Sequence, residues 1–193
     1  MHLILRQLWP AVGLTTALTI VTGVIYPAAI TLVAQAAFPS QANGSLVTAG
    51  DGRVVGSSLI GQSFTDPGHL WGRLSYAGDG YDANASAGSN LGPTSATLIE
   101  RVTTDMERLQ AEHGAGPVPA DLVTASASGL DPHVSPAGAA YQVDRIASAR
   151  GIDPDAVRAV IARHTELPLF GFLGQARVNV LEVNLELDGL SDG

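Results

Sequence analysis

From Gln7 to Gly50 the chain carries no charged side chain, and within that stretch Trp9–Phe38, WPAVGLTTALTIVTGVIYPAAITLVAQAAF, is apolar enough and long enough to cross a bilayer. No other feature limits the fold so strongly. About 20 such residues suffice to cross the hydrocarbon of a bilayer, and a helix apolar on every side can be buried only in lipid or in a far larger protein. A cleaved signal peptide is the competing reading, since Ala34-Gln35-Ala36 resembles a small-residue cleavage site. The apolar core of a signal peptide is only about 7 to 15 residues, however, and this run is about twice that. The pattern therefore predicts a retained signal anchor over 8–38, behind a short N-terminus of residues 1–7. Arg6 precedes the span, and every acidic residue follows it. By the positive-inside rule the N-terminus is then cytoplasmic and the rest of the chain extracytoplasmic.

Inside the span, Thr15, Thr19 and Gly23 recur at i, i+4 and i+8, a stripe of small residues along one helix face. Such a stripe either packs against another membrane helix or reflects the threonine and glycine common in membrane helices. Pro27 is expected to kink the helix near its outer end. Trp9 and Tyr26 are candidates for interfacial anchors.

Behind the span there is room for one domain with its own core. The absence of cysteine excludes disulfides, thiolate metal sites and a cysteine nucleophile. All ten basic residues are arginine, so a P-loop lysine, a Schiff-base lysine and a Ser-Lys dyad are excluded too. A net charge of -8 without an arginine cluster argues against nucleic acid as a partner.

Residues 39–52, rich in Ser, Asn, Gly and Ala, read as a linker to an outer domain spanning 53–193. RVVGSSLIGQSF (Arg53–Phe64) carries two β-like runs, Val54-Val55 and Leu59-Ile60, and predicts a strand or hairpin. Thr65–Pro93 shows no periodicity and predicts a long loop, a length that tends to be functional or to wrap a partner. Three helices follow. Thr94 can cap one whose apolar positions Leu98, Ile99, Val102, Met106 and Leu109 keep helical spacing up to His113-Gly114. Ser135-Pro136 starts the second, closed by Arg150-Gly151, and Asp153-Pro154 starts the third, with Ile152 and Val157 placed for a hydrophobic staple. In RVNVLEVNLELDG (Arg177–Gly189), Leu181, Val183, Leu185 and Leu187 alternate with polar residues, which predicts a strand with one wet face. Strands at both ends with helices between them make an α+β fold: a single N-terminal transmembrane helix followed by one mixed α/β extracytoplasmic domain.

TASASGLDPHVSPAG (Thr124–Gly138) holds the residue types of a charge relay, Ser128, Asp131 and His133. A serine hydrolase of the α/β type wants G-x-S-x-G, with acid and histidine arriving much later in the chain. Here Ser126 takes the first glycine's place, and acid and base lie within five residues of Ser128. An imidazole is hard to fit between nucleophile and carboxylate on one short turn. Ser128, Gly129, Asp131, Pro132, His133 and Ser135 therefore read as a hydrogen-bonded turn leading to a helix cap. A signal-anchored extracytoplasmic serine hydrolase using Ser128 and His133 is the alternative, and a free-standing solute-binding domain a third option. SAGSNLGPTS (Ser86–Ser95) could offer backbone donors to an anion, but no lysine accompanies it. The five histidines are scattered, and no pair with a carboxylate at helix spacing resembles a zinc site; His164 and Glu166 come nearest to one but are two residues apart, the wrong spacing for one helix face. No metal site is expected.

Taken in order, GVIYP, GSSLIGQSF, SAGSNLGPT, PADLVTASASGLDPHVSP, AAYQVDRIASARGI and VNVLEVNLELD resemble the C subunit of the Kdp potassium-transporting ATPase along nearly the whole chain. Arg73-Leu74-Ser75-Tyr76 stands where that family usually has Arg-Pro-Ser-Ala, and Ala87 where it has a second glycine. The resemblance implies a bacterial inner-membrane complex that hydrolyses ATP to take up potassium. Its partners would be a channel-like subunit, a P-type ATPase subunit, a small membrane peptide and the lipid bilayer. It further implies a catalytic chaperone that raises the ATPase subunit's ATP affinity without catalytic residues of its own. Ser86, Gly88, Ser89 and Asn90 correspond to a loop likened to a nucleotide-binding signature, and ATP is the one cofactor implied. Since ATP is cytoplasmic and the loop is expected outside, an indirect effect is the reading favoured here.

Overall fold

The computed structural model describes residues 2–49 and 51–189; residue 1 and the last four residues of the expected outer domain lie outside them. The chain divides into two compact units between Ser45 and Leu46.

The first unit is helical. Helix α1 (His2–Ile20) passes through a π turn, Val21–Ile25, into α2 (Tyr26–Ala37), and a short α3 (Pro39–Ala42) follows. Arg6–Ala37 forms one helical stretch of 32 residues, long and apolar enough to cross a membrane. At 1.5 Å per residue it measures about 48 Å, more than the roughly 30 Å of hydrocarbon. The π turn explains how Pro27 is housed. Proline has no N–H for the carbonyl four residues back, and the wider turn placed just before it absorbs that mismatch. Of the expected stripe, Thr15 and Thr19 lie in α1 and Gly23 in the π turn. Thr22 donates to the Leu18 carbonyl at 2.8 Å.

In the second unit, strand β1 (Leu46–Thr48) pairs antiparallel with β2 (Val54–Ser57). The stretch 39–52, expected as a linker, contains α3 and β1. Of the two β-like runs only Val54-Val55 lies in a strand, while Leu59-Ile60 follows it in a turn. Thr65–Pro93 is without regular structure apart from a 3-10 turn at Ala83–Ala85. Helix α4 (Ala96–His113) starts one residue later than expected, capped by the Ser95 hydroxyl rather than Thr94. The Ser135-Pro136 start is found as expected, with Ser135 Oγ accepting from the Gly138 N–H. The helix then breaks at Gln142 into α5 (Pro136–Tyr141) and α6 (Val143–Arg150), ending at left-handed Gly151. Helix α7 (Pro154–Arg163) starts behind the Asp153 cap.

The last element departs from the expected strand. A three-stranded antiparallel sheet, order β3-β5-β4, joins β3 (His133–Val134), β5 (Arg177–Asn179) and β4 (Thr165–Glu166). From Val180 the chain turns into helix α8 (Val180–Leu187). Asn179 causes the switch: its Oδ1 accepts from the Glu182 N–H at 3.2 Å, and its Nδ2 donates to the Ser58 carbonyl at 2.9 Å. Val180 and Val183 enter the main core with Leu70, Val134, Ile146, Val157 and Val178, and Leu181 and Leu185 are buried as well. Burial on several sides hides a helix period behind an apparent alternation.

Candidate functional site

The turn between Ser126 and Ser135 is built by its own side chains. Ser126 Oγ accepts from the Gly129 N–H at 2.8 Å and Ser128 Oγ from the Leu130 N–H at 3.1 Å. Asp131 Oδ1 accepts from the His133 N–H at 3.0 Å, closing an Asx turn across Pro132. Asp121 then holds Ser135 twice, accepting from its N–H at 2.7 Å and from its hydroxyl at 3.0 Å. The chain enters β3 directly, His133 opposite Asn179 and Val134 opposite Val178.

The candidate relay is not assembled. Ser128 Oγ contacts Ser126 Oγ at 3.3 Å and the Leu130 N–H, whereas the His133 ring faces the Asp131 carboxylate at 3.6 Å. Asp131 also pairs with Arg73 at 3.0 Å, and the Arg73 guanidinium reaches Thr124 as well. Burial would push the Asp131 carboxyl up. His133, through its ring and its N–H, and Arg73 outweigh that and hold it at about 2. Asp131, His133 and Ser135 line a polar cleft of about 400 Å³ with Arg73, Asp121 and Arg177.

The serine- and glycine-rich loop is docked onto this turn. Ser86 Oγ donates to the Ser128 carbonyl at 2.9 Å, and the Ala87 N–H donates to the same oxygen at 3.0 Å. Gly88 passes so close to Ala127 that a Cβ there would lie 2.9 Å from the Ala127 carbonyl oxygen. Ser89 Oγ accepts from the Leu91 N–H at 3.4 Å, and Asn90 takes a left-handed φ of 52°. The loop does not open a helix, because α4 starts behind the Ser95 cap five residues beyond Asn90. The geometry therefore joins the two stretches singled out in the sequence, each holding the other through backbone atoms.

Three residues not singled out complete the arrangement. Ser75 Oγ donates to the Gly129 carbonyl at 2.6 Å and accepts from the Tyr81 N–H at 2.7 Å. Tyr81 donates its hydroxyl to the Arg73 carbonyl; burial, with the nearby Asp131 charge, raises its pKa to about 12 against a smaller opposing pull from Arg73. Ser75 and Arg73 both belong to the Arg-Leu-Ser-Tyr run compared with the family's usual pattern. Contacts across fifty residues leave no period in a sequence, so only that comparison could have flagged them.

His164 does not pair with Glu166. Its Nε2 lies 2.7 Å from Glu186 and its Nδ1 3.4 Å from Glu182, both on α8, while Glu166 pairs with Arg177. Reading 177–189 as a strand hid that arrangement, since only a helix brings residues 182 and 186 to one face. Among the described residues no group of three or more His, Asp and Glu side chains is disposed to hold a metal ion.

Residues 8–189 match the family model described as KdpC: K+-transporting ATPase, c chain. The potassium-transporting ATPase KdpC subunit of Polaromonas naphthalenivorans (strain CJ2) is 55% identical over 184 residues, covering 94% of this chain and 93% of that protein. That of Sorangium cellulosum (strain So ce56) is 56% identical over 188 residues, covering 96% and 98%, and that of Caulobacter vibrioides (strain NA1000 / CB15N) 53% identical over 184 residues, covering 95% and 93%. With a match that runs from the apolar helix through α8, the chain belongs to the KdpC family, the c chain of the K+-transporting ATPase, and is a component of a potassium-transport complex.

Proposed function

We propose that the chain is an accessory, non-catalytic subunit of an ATP-driven potassium-uptake complex in a bacterial inner membrane. One helix crosses the bilayer with its N-terminus in the cytoplasm, and the domain beyond it stands outside. The partners are the channel-like potassium-translocating subunit, the P-type ATPase subunit and a small membrane peptide. The observation that carries the non-catalytic reading is the mutual bonding of the 86–90 loop and the Ser128 turn. Their hydroxyls and carboxylate are engaged with the domain's own backbone and with Arg73. An effect on ATP affinity then works by stabilising one state of the assembly, a coupling free energy between distant sites.

Two measurements test this. The tagged chain, purified from detergent-solubilised membranes, should bring down the ATPase and channel-like subunits; recovery of neither overturns the reading. In the assembled complex, removing this subunit should weaken ATP binding, whereas Ser89→Ala and Asn90→Ala should leave it within about twofold. A large loss from either substitution would favour direct nucleotide contact.

A further inference from the structure

Between β4 and β5 the chain forms a hairpin, LPLFGFLGQA, residues 167–176, without one ionisable side chain. Leu167, Leu169, Phe170, Phe172 and Leu173 are each between 52% and 79% exposed, in a domain whose other large apolar side chains are mostly buried or half-buried. Patches of this density on a folded domain mark interaction sites. The tip is closed by its own backbone hydrogen bonds. The Leu169 N–H donates to the Leu173 carbonyl at 3.0 Å and the Leu173 N–H returns to Leu169 at 2.9 Å; the Gly171 N–H bonds the Pro168 carbonyl at 2.9 Å. At the base Glu166 sits opposite Arg177, and their side chains pair at 2.6 Å.

We infer that this hairpin inserts into the surface of the lipid bilayer that the chain's own apolar helix spans, Phe170 and Phe172 leading. The inference rests on the membrane-span reading above. Three observations favour lipid. First, only residues 38–45 separate the end of α2 from β1, a tether of at most about 30 Å at 3.3 to 3.6 Å per residue, so a bilayer is always within reach of the domain. Second, the tip satisfies the N–H groups of Leu169, Gly171, Phe172 and Leu173 internally, which lowers the cost of placing non-helical chain in an apolar medium. Third, the ion pair at the base marks a natural depth limit. The five steps from Glu166 to Gly171 reach at most about 17 Å at strand rise, enough to pass the headgroup layer, which is roughly 5 to 8 Å thick on each side, while leaving Glu166 and Arg177 at or above it.

The chain has no cysteine, so single cysteines introduced by Phe172→Cys, Leu167→Cys and, on the exposed face of α4, Glu107→Cys can each carry one environment-sensitive fluorophore. The full chain alone is reconstituted into phosphatidylcholine vesicles containing lipid nitroxides at the headgroup or along the acyl chain. The label at 172 should shift to the blue and lose at least half of its emission to acyl-chain nitroxides; the label at 167 should be quenched more by headgroup nitroxides, and the label at 107 by neither. A chain that floats with the vesicles but shows an unquenched label at 172 overturns the proposal and leaves the span intact. A blue shift at 172 that appears only when the other subunits are present also overturns it, in favour of a protein socket. A chain that does not float sinks the span and the proposal with it.

Discussion

The carboxamide of Asn184 on α8 holds both backbone groups of Leu70: its Oδ1 accepts from the Leu70 N–H at 2.7 Å and its Nδ2 donates to the Leu70 carbonyl at 2.9 Å. Gln142, at the break between α5 and α6, does the same for the next residue, accepting from the Trp71 N–H at 2.9 Å and donating to the Trp71 carbonyl at 3.1 Å. Both side chains are fully buried, as is Leu70. The two amides replace the strand partner that this stretch of the long loop lacks, and so let irregular backbone enter the core with its polar groups satisfied.

Asn184→Leu keeps the number and branching of the side-chain heavy atoms but strands a buried N–H and a buried carbonyl. At about 1 to 3 kcal/mol for each unsatisfied group, the chain should lose about 2 to 6 kcal/mol, read as a drop in the urea midpoint of the detergent-solubilised protein. Gln142→Met should cost a similar amount. A loss below about 0.5 kcal/mol for both would mean that the loop is not held by these amides.

The caps were legible in the sequence because their chemistry is local: Ser135-Pro136 and Asp153-Pro154 each place an acceptor and a φ-restricted residue next to each other. The strand expected over 177–189 failed for an equally physical reason. Leu181, Val183 and Leu185 alternate, but Val180, Val183 and Leu187 are also a helical row, and when several helix faces are buried both periods fit. Asn179 followed by Glu182 is an Asn-x-x-Glu capping pattern, and it was the signal that could have decided between them. The polar turn at 126–135 was recognisable as a turn. Its partners Arg73, Ser75, Ser86 and Asp121 were not, since nothing in the spacing of a sequence records which loops meet.

Gly129 and Ser128 should separate architecture from chemistry. Gly129 has φ 67°, and a Cβ there would lie 2.7 Å from both the Ala77 nitrogen and the Ala87 carbonyl oxygen. Gly129→Ala must therefore both strain the backbone and push the docked loop away, at about 2 to 4 kcal/mol. Ser128→Ala removes one hydroxyl acceptor for the Leu130 N–H, at about 1 kcal/mol. In cells that depend on this complex for potassium, Ser128→Ala should support growth close to wild type and Gly129→Ala should reduce the amount of assembled complex. Loss of function from Ser128→Ala at normal complex levels would revive a catalytic role.

Stability should fall at both ends of the pH scale, each limb with its own residues. The His113 ring lies against the Leu109 carbonyl through Nδ1 at 3.0 Å and accepts from Arg145 Nε–H at Nε2, 2.9 Å, and that guanidinium sits 3.7 Å over the Trp71 ring. Only the neutral ring, with its proton on Nδ1, satisfies both contacts. Burial first, then the Arg145 and Arg108 charges, push its pKa below the ordinary histidine value, against the Leu109 carbonyl and Glu112. The unfolded chain therefore takes up this proton first, so the contribution is complete above about pH 6.5 and is lost as pH falls through the folded value. Asp131 follows lower down, its contribution present above about pH 3.9 and lost toward its folded value of about 2. Tyr81 has the opposite sign: its folded pKa is raised to about 12, so its contribution is intact below about pH 10 and lost as pH rises from there. Urea midpoints measured between pH 5 and 7.5 should therefore rise with pH, and His113→Gln should flatten that slope. A slope unchanged in the variant would remove His113 as its source.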